Sequence, residues 1–429
     1  MLWQPPLPEK YSKLSEAELV EAIRARRATL GDDLVILGHH YQQDEVIQFA
    51  DFTGDSFKLS QLAAERVKEA GAKYVIFCGV HFMAESADIL TPEDVTVILP
   101  DLGAGCSMAD MAGYEQTVEA WAQIHEALGV ERDQATKGPS EQGKTAAGAS
   151  ASVPRSLGGS VPSYRVIPIT YMNSSAAIKA FVGEHGGAVC TSSNCEQVFE
   201  WALAGGTQPL KEGEQVKILF LPDQHLGRNT AAAMGYDIHR DMILWDPKHP
   251  DGFGGHEDED IERATFMLWK GHCSVHKLFR PEHVDQIRAK WPDVTVIVHP
   301  ECAHEVVQKA DMTGSTEKIR TAIESAEPGT KWAIGTEVHM VNRLANEAAK
   351  RGVTARILSD CQCLCTTMFR IDMQHLLWAM DNLAEGKVVN QIKVHPEVQR
   401  WSLVALDRML HITGKAGSAA PASQVGSTA

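Results

Sequence analysis

Val294-Thr-Val-Ile-Val-His-Pro-Glu301 is a short apolar run that ends in a histidine and a glutamate. Its length and its β-branched residues predict a buried strand. Two similar runs come earlier: Asp33-Leu-Val-Ile-Leu37 leads into Gly38-His-His-Tyr41, and Arg165-Val-Ile-Pro-Ile-Thr170 leads into Tyr171-Met-Asn173. Polar side chains therefore follow three separate predicted strands at corresponding positions.

The spacing after these runs indicates three copies of one unit. His39 lies 17 residues before Ser56, and His299 lies 17 residues before Thr316. A middle copy is lengthened by the acidic stretch 246–262. Because strand and helix patterns alternate in each copy, the sequence predicts parallel sheets covered by helices. We expect an α/β protein whose three units meet at one pseudo-threefold axis, with equivalent strand ends around it, where open α/β sheets bind ligands.

The predicted boundaries follow from this repetition. An N-terminal helix at 15–30, capped by Ser15, precedes the first unit. Two segments, 131–163 and 413–429, are rich in small residues and poor in large apolar ones, which predicts a flexible insertion and a disordered tail. The last unit includes C-terminal helices. The three units are predicted at 30–125, 165–290 and 291–410.

Charge and composition exclude several classes of protein. The formal net charge of −16 disfavours nucleic acid as a partner, because binders of polyphosphates need basic surfaces. No apolar run approaches the length of a membrane span, and the N-terminus lacks the pattern of a signal peptide, so we expect a cytoplasmic protein without a membrane partner. Nine cysteines argue against a disulfide framework and favour metal or catalytic thiols.

Three cysteines recur at the ends of the predicted units: Cys106, Cys273 and Cys365. Thiolates favour zinc or iron–sulfur clusters, and a closed zinc site would need a fourth ligand. Three cysteines suit a [4Fe–4S] cluster with one open iron that acts as a Lewis acid. In Cys361-Gln-Cys-Leu-Cys365 alternate residues point the same way along a strand but diverge, so one ligand is expected there, and the sequence alone leaves open which one.

Polar groups near the predicted strand ends suggest substrate contacts. Gly54-Asp-Ser56, Thr191-Ser-Ser-Asn194 and Gly314-Ser-Thr316 each precede a predicted helix. Alone, each is more simply an N-cap, but three such helix starts near one axis predict an anion pocket for a carboxylate or phosphate. His39, Tyr41, Tyr171, Asn173, His299 and Glu301 follow strands and supply acid–base groups and donors, and His276 follows Cys273 by three residues.

Glu301 is the strongest candidate for proton transfer. It is held close to a buried strand, and we expect desolvation and bound anions to raise its pKa, as suits a general acid–base at neutral pH. The simpler alternative is that Glu301 only caps the following helix.

These motifs together resemble the quinolinate synthase family, the A proteins of bacterial NAD biosynthesis. The resemblance runs over residues 30–400 and also includes Gly105-Cys-Ser-Met-Ala-Asp-Met111, Trp269-x-Gly-x-Cys273-x-x-His276 and Cys365-x-x-Met368. It implies three pseudo-equivalent αβα domains around one [4Fe–4S] cluster. It also implies condensation of iminoaspartate with dihydroxyacetone phosphate to quinolinate, with loss of phosphate and water.

The resemblance assigns roles residue by residue. The implied cluster ligands are Cys106, Cys273 and Cys365. The implied catalytic residues are Glu301, Tyr41 and His299. The implied substrate-binding residues are His39, Ser56, Tyr171, Asn173, Ser192, His276, Ser315 and Thr316. The chain differs from compact members at 131–163 and 246–262, and it has Cys361-x-Cys-x-Cys where some members have C-x2-C-x2-C.

Two other classes compete with an enzyme. One is a non-catalytic iron–sulfur sensor of oxygen or iron, and the other is an electron carrier. Neither needs hydroxyl-rich helix starts or a His/Glu/Tyr set beside a cluster, and a carrier would favour four cysteine ligands. If the chain is the enzyme, its expected protein partner is the L-aspartate oxidase or dehydrogenase that supplies iminoaspartate.

Replacing residues 131–163 with a short Gly/Ser linker is expected to leave activity within a few-fold of the original, because this stretch has little apolar surface to bury. Activity and thermal unfolding of the two proteins check this expectation. A shortened chain that no longer folds would show that the insertion packs against the core.

Overall fold

A computed structural model describes residues 4–130, 163–360 and 363–414, apart from residues 57, 60, 62–66, 68 and 70. The predicted insertion lies outside the described residues, except for Ser163, which begins a strand. The linker replacement should therefore end at residue 162. Most of the predicted tail, residues 415–429, also lies outside the described part, so both assignments stay predictions.

The described strands form three separate sheets. They are β1 Leu34–His39, β2 Phe52–Gly54, β3 Tyr74–Cys78, β4 Thr96–Ile98, β5 Ser163–Tyr171, β6 Ala188–Cys190, β7 Glu214–Leu221, β8 Met242–Trp245, β9 Phe266–Trp269, β10 Val294–Val298, β11 Met312–Thr313, β12 Lys331–Gly335, β13 Thr354–Ile357 and β14 Gln391–Ile392.

The three sheets share the order of their first three strands. Their orders are β2-β1-β3-β4-β14, β6-β5-β7-β9-β8 and β11-β10-β12-β13. In each sheet the first strand in the chain lies between the second and the third. All pairs are parallel except β14 with β4. The predicted α/β class with parallel sheets is confirmed, and the third sheet repeats the order of β1–β4 strand for strand.

Helices connect the strands, as parallel pairing requires. They are Glu9–Ser12, Glu16–Leu30, Asp44–Ile47, His81–Leu90, Tyr114–Ala127, Ala176–Glu184, Cys195–Leu203, Gln224–Ala233, Asp258–Arg263, Pro281–Lys290, His304–Lys309, Thr316–Glu324, Val338–Ala349, Met373–Ala384 and Pro396–Ile412. The first long helix has the capping box that Ser15 and Glu18 predict. None of the helices in the described part of the chain is long and apolar enough to span a membrane.

Alternation along the strands builds the cores. In β10, Val296 and Val298 pack into one apolar cluster, and Ile297 packs into another on the opposite face of the sheet. The third sheet is therefore buried on both faces. The acidic stretch 246–262 is not a plain loop, since it contains the one-turn helix Phe253–Gly255 and most of Asp258–Arg263.

The C-terminal segment packs on the first two sheets. The predicted C-terminal helices are Met373–Ala384 and Pro396–Ile412, and they are separated by β14, which pairs with β4. Met373–Ala384 packs with Glu16–Leu30, and Pro396–Ile412 packs with Ala176–Glu184. The last pair approaches closely at Gly183, where a Cβ would lie 2.0 Å from the carbonyl oxygen of Trp401.

Gly183→Ala is expected to lower the free energy of unfolding. Alanine gains about 1 kcal/mol of helix propensity over glycine, but forcing the two helices apart costs about 1–3 kcal/mol. Urea denaturation of the metal-free protein measures the net effect. A more stable alanine variant would show that the helices separate without loss of packing.

Candidate active site

One cavity of about 70 Å³, which is room for several water molecules, gathers most of the predicted site residues. Twelve of them line it: His39, Tyr41, Ser56, Cys106, Tyr171, Asn173, Ser192, Cys273, His299, Glu301, Thr316 and Cys365. Two do not. His276 lies behind Glu301, and Ser315 caps the helix Thr316–Glu324 by accepting from the Lys318 N–H at 3.4 Å.

The strand ends explain why these residues meet. β1, β5 and β10 occupy the same place in their sheets, and each has a cavity residue as its last residue or directly after it. His39, Tyr171 and His299 stand at corresponding positions, and a second cavity residue comes two positions after each. Carboxyl ends of parallel strands are where α/β sheets bind ligands.

The three site thiols (Cys106, Cys273 and Cys365) follow the last parallel strand of their units. One-turn helices begin three residues after each cysteine, at Ala109–Met111, His276–Leu278 and Met368–Arg370. Main-chain N–H groups at the start of each one-turn helix donate to the sulfur of the cysteine that precedes it. Such donors favour the thiolate form, so the same local structure prepares each cysteine to be a metal ligand.

Burial opposes ionisation of these thiols. It raises the pKa of Cys106 to about 12, raises that of Cys273 well above its usual value, and raises that of Cys365. A bound cation reverses this preference, since a coordinating thiol is deprotonated. Three sulfur donors around one cavity fit an iron–sulfur cluster, and a metal would supply the charge that burial otherwise disfavours.

A second group of donors overlaps the thiols. The ligand atoms of Cys273, His276 and Glu301 lie within 4.8 Å of one another and can hold a metal ion. Cys363, in contrast, is buried away from the cavity, with its sulfur 3.3 Å from Ser359 Oγ. Cys361 lies outside the described residues.

Glu301 is a fully surrounded carboxylate. Its Oε2 accepts a hydrogen bond from His276 Nδ1 at 2.8 Å, and the Tyr171 hydroxyl donates to it as well. Burial raises the pKa of Glu301, but His299, His276 and these hydrogen bonds outweigh burial and lower it to about 2. The expectation of a raised pKa was wrong, because the donors that ionise the group are more than 20 residues away in the chain.

His39 and His299 share one hydrogen-bonding pattern. The main-chain N–H of Tyr41 donates to His39 Nδ1 at 3.1 Å, and that of Glu301 donates to His299 Nδ1 at 3.3 Å. Burial lowers the pKa of each histidine to about 3. Both rings are therefore neutral, and since Nδ1 accepts, each carries its proton on Nε2. The cavity thus has two neutral N–H donors.

Thr336, which sequence reasoning missed, connects Tyr41 to His276. Its Oγ1 lies 2.7 Å from the Tyr41 hydroxyl and 3.1 Å from His276 Nε2. Thr336 is fully buried and follows β12 directly. Its place directly after β12 was the available signal, because residues at the ends of β1, β5 and β10 had already been assigned to the site.

The remaining cavity wall is apolar or hydroxyl-bearing, except for the carboxylic acid of Asp55. Ser56, Ser192 and Thr316 line the cavity. Thr316 is the first residue of its helix, and Ser192 lies three residues before the helix Cys195–Leu203. The anion pocket stays a prediction. None of the described residues that line the cavity is a lysine or an arginine. The apolar residues were not singled out from the sequence: Val80, Phe82, Met83, Met108, Met172, Val275 and Met368.

Comparison with known proteins identifies the family. The family model "Quinolinate synthetase A protein" matches residues 21–411. The chain belongs to the quinolinate synthase family. A quinolinate synthase of Acidobacterium capsulatum is 52% identical over 406 residues, covering 95% of this chain and 96% of that relative. One from Nocardioides is 51% identical, covering 95% and 93%, and one from Streptomyces coelicolor is 48% identical, covering 92% and 89%.

Proposed function

We propose that this protein condenses iminoaspartate with dihydroxyacetone phosphate to give quinolinate, phosphate and water. Membership of the quinolinate synthase family supports the product. The observation that carries the proposal is a single buried cavity that combines three thiols with a carboxylate, two tyrosines and two neutral histidines.

The cavity suits anionic substrates, although none of its described lining residues is a lysine or an arginine. Iminoaspartate has two carboxylates, and the triose has a phosphate. Ser56, Ser192 and Thr316 offer hydroxyl donors from helix starts, where helix dipoles favour anions. His39 and His299 add Nε2–H donors. Neutral donors hold an anion without forming a persistent ion pair, which favours turnover over tight ground-state binding.

Cys106, Cys273 and Cys365 would hold a [4Fe–4S] cluster. When bound, such a cluster with three protein ligands supplies an open iron that polarises a substrate oxygen for loss of water. Around it, the chain must keep bulk water out, and Phe82, Met83 and the other apolar residues of the wall do this.

Proton transfer is assigned to Glu301 and the residues bonded to it. Its lowered pKa makes Glu301 a carboxylate at neutral pH, so it accepts the hydrogen bond of His276 and is an acceptor of protons. Tyr41 and Tyr171 are protonated, because burial raises the pKa of each well above its usual value. They are thus donors to oxygen atoms of a substrate.

An iron–sulfur sensor is less well supported. A sensor needs an exposed or reactive cluster, but it has no use for the tyrosines, histidines and Glu301 gathered beside the thiols.

The enzyme needs a supply of iminoaspartate, and an L-aspartate oxidase or dehydrogenase is the proposed partner. Anaerobic reconstitution with iron and sulfide, followed by an assay for quinolinate, tests the proposal. Iron-loaded protein that forms no quinolinate would overturn it.

The cluster assignment predicts about four irons and four sulfides per chain after anaerobic reconstitution. Changing Cys106, Cys273 or Cys365 to serine is expected to abolish this iron content. Cys78→Ser is the control, since Cys78 is also a free cysteine but lies outside the cavity, buried in the core. Iron analysis and visible absorbance check both. Retention of the full cluster by Cys273→Ser would contradict the assignment, and so would stoichiometric zinc in active protein.

Glu301→Gln is expected to keep the cluster and the fold but to lower turnover by roughly 10²–10⁴-fold, the range for one positioned proton-transfer group. Glutamine removes the negative charge that makes Glu301 a proton acceptor. Glu337→Gln is the control, because Glu337 is also buried and bonded to a histidine, at 2.8 Å, but caps a helix outside the cavity. Near-normal quinolinate formation by Glu301→Gln would remove Glu301 from the mechanism.

A further inference from the structure

The side-chain amide of Asn229 binds the main chain on both sides of Glu301. Its Nδ2 donates to the carbonyl oxygen of Pro300 at 2.8 Å and to that of Cys302 at 2.9 Å. Asn229 is 7% exposed, and Pro300 and Cys302 are both buried. The amide projects from the helix Gln224–Ala233, which packs on the second sheet, whereas its partners follow β10 of the third sheet. It therefore connects two sheets at the turn that contains Glu301.

We propose that Asn229 is a positioning residue for Glu301. The inference rests on the proposed function, in which Glu301 accepts protons, and it adds a residue that is not among the described lining of the cavity. By binding the carbonyls of the residues immediately before and after Glu301, the amide fixes the peptide units from which the carboxylate side chain projects. Asn229 thus acts on the reaction only through the main chain of its neighbour.

The amide of Asn229 has one orientation that satisfies all its partners. Main-chain carbonyls can only accept, so the two N–H groups must face Pro300 and Cys302. Oδ1 then faces His304, whose Nδ1 lies 2.8 Å away and donates to it. Both N–H groups and the oxygen of the amide are therefore used, and a flipped amide would lose all three hydrogen bonds.

The helix that carries Asn229 is itself held closely against the second sheet. At Gly227 a Cβ would lie 2.6 Å from Phe220 Cδ1 and 2.8 Å from Leu268 Cδ2, so the helix backbone approaches β7 and β9 where a side chain would not fit. A helix packed this tightly cannot follow small movements of the third sheet. Its amide is consequently a fixed reference point for the turn.

The first residues of the same helix are joined to the thiol site. Asp223, the N-cap, is fully buried and accepts a hydrogen bond from the main-chain N–H of Cys273. The Cys273 loop is thus bonded to one end of the helix, and the Glu301 turn is bonded to Asn229 further along it. This arrangement sets where the carboxylate lies relative to the thiols, which a reaction between two bound substrates requires.

Hydrogen bonds within the turn do not replace those of Asn229. The Cys302 N–H donates to the His299 carbonyl at 3.0 Å, and the Glu301 N–H donates to His299 Nδ1 at 3.3 Å. These bonds shape the turn but join residues that all follow β10. Only a contact from another element, such as the Asn229 amide, places the whole turn relative to the second sheet.

Asn229→Ala tests the proposal, since alanine keeps the helix and removes the amide. We expect kcat for quinolinate formation to fall about 10–100-fold, with KM changed less than about threefold, because a misplacement of about 1 Å can cost about 10²-fold in rate. The loss should nearly disappear when Glu301 is already glutamine. Adding Asn229→Ala to Glu301→Gln should change kcat less than about threefold, since residues that act as a unit are not additive.

Hydrogen exchange gives a readout that does not depend on turnover. In the metal-free protein, the Cys302 N–H should exchange faster in Asn229→Ala than in the original, because the turn is no longer held from outside. Arg408→Ala is the control. The Arg408 guanidinium also donates to two main-chain carbonyls, those of Gly183 at 2.8 Å and Gly187 at 2.7 Å, and the described cavity lining includes none of these residues. This variant should keep normal kcat and normal exchange at Cys302.

Iron content and unfolding midpoint are measured for every variant. If Asn229→Ala does not fold, His304→Ala, which removes only the hydrogen bond to Oδ1, takes its place in the same comparisons. Activity of Asn229→Ala within about threefold of the original, an equal loss with Glu301 and with glutamine, or unchanged exchange at Cys302 would overturn the positioning role and leave the proposed function intact. An unaltered protein that forms no quinolinate would overturn the function, and the positioning role with it.

Discussion

A buried carboxylate stays ionised only when donors replace the water it has lost, and the site is arranged around that requirement at Glu301. The residue is 2% exposed. His276 donates to one oxygen, Tyr171 donates from another sheet, and His299 packs in a stack on His276 with ring centres 4.5 Å apart. These partners come from the second and third sheets, so the charge of one side chain depends on how the two sheets meet.

The requirement also explains the two neutral histidines. A protonated His39 or His299 would stabilise Glu301 further, but it would place another unpaired cation in a buried cavity. The main-chain N–H bonds to Nδ1 hold both rings in the neutral form with Nε2 as donor. The cavity therefore places one fully buried carboxylate, Glu301, among neutral donors, and the half-buried Asp55 is the other acidic side chain among the described lining residues.

The sequence was sufficient for the strands and for the residues that follow them directly. β1, β5 and β10 are apolar runs with polar ends, and alternation and spacing are local properties that can be read from the chain. The charge state of Glu301 was not predictable in this way, because it is set by His276 and Tyr171, which are distant in sequence. Thr336 was missed for the same reason, since an isolated threonine after a strand is unremarkable until Tyr41 and His276 are seen on either side of it. The short strands β2, β6, β8, β9, β11 and β14 were missed because two to four residues carry too little pattern.

The three units differ most where the substrates would bind and least where the metal would bind. All three keep a cysteine followed by a one-turn helix, while the corresponding first-strand residues are His39, Tyr171 and His299. A cluster that is held by three equivalent ligands favours the same residue in each unit. The two proposed substrates are unlike, since one has carboxylates and the other has a phosphate, and they would require unlike contacts. The position of Thr336 shows this divergence clearly, since Gly79 and Pro222 follow β3 and β7 at the equivalent places and neither has a side-chain hydroxyl. The buried hydroxyl that bonds to Tyr41 and His276 therefore belongs to the third unit alone, the unit that also holds Glu301.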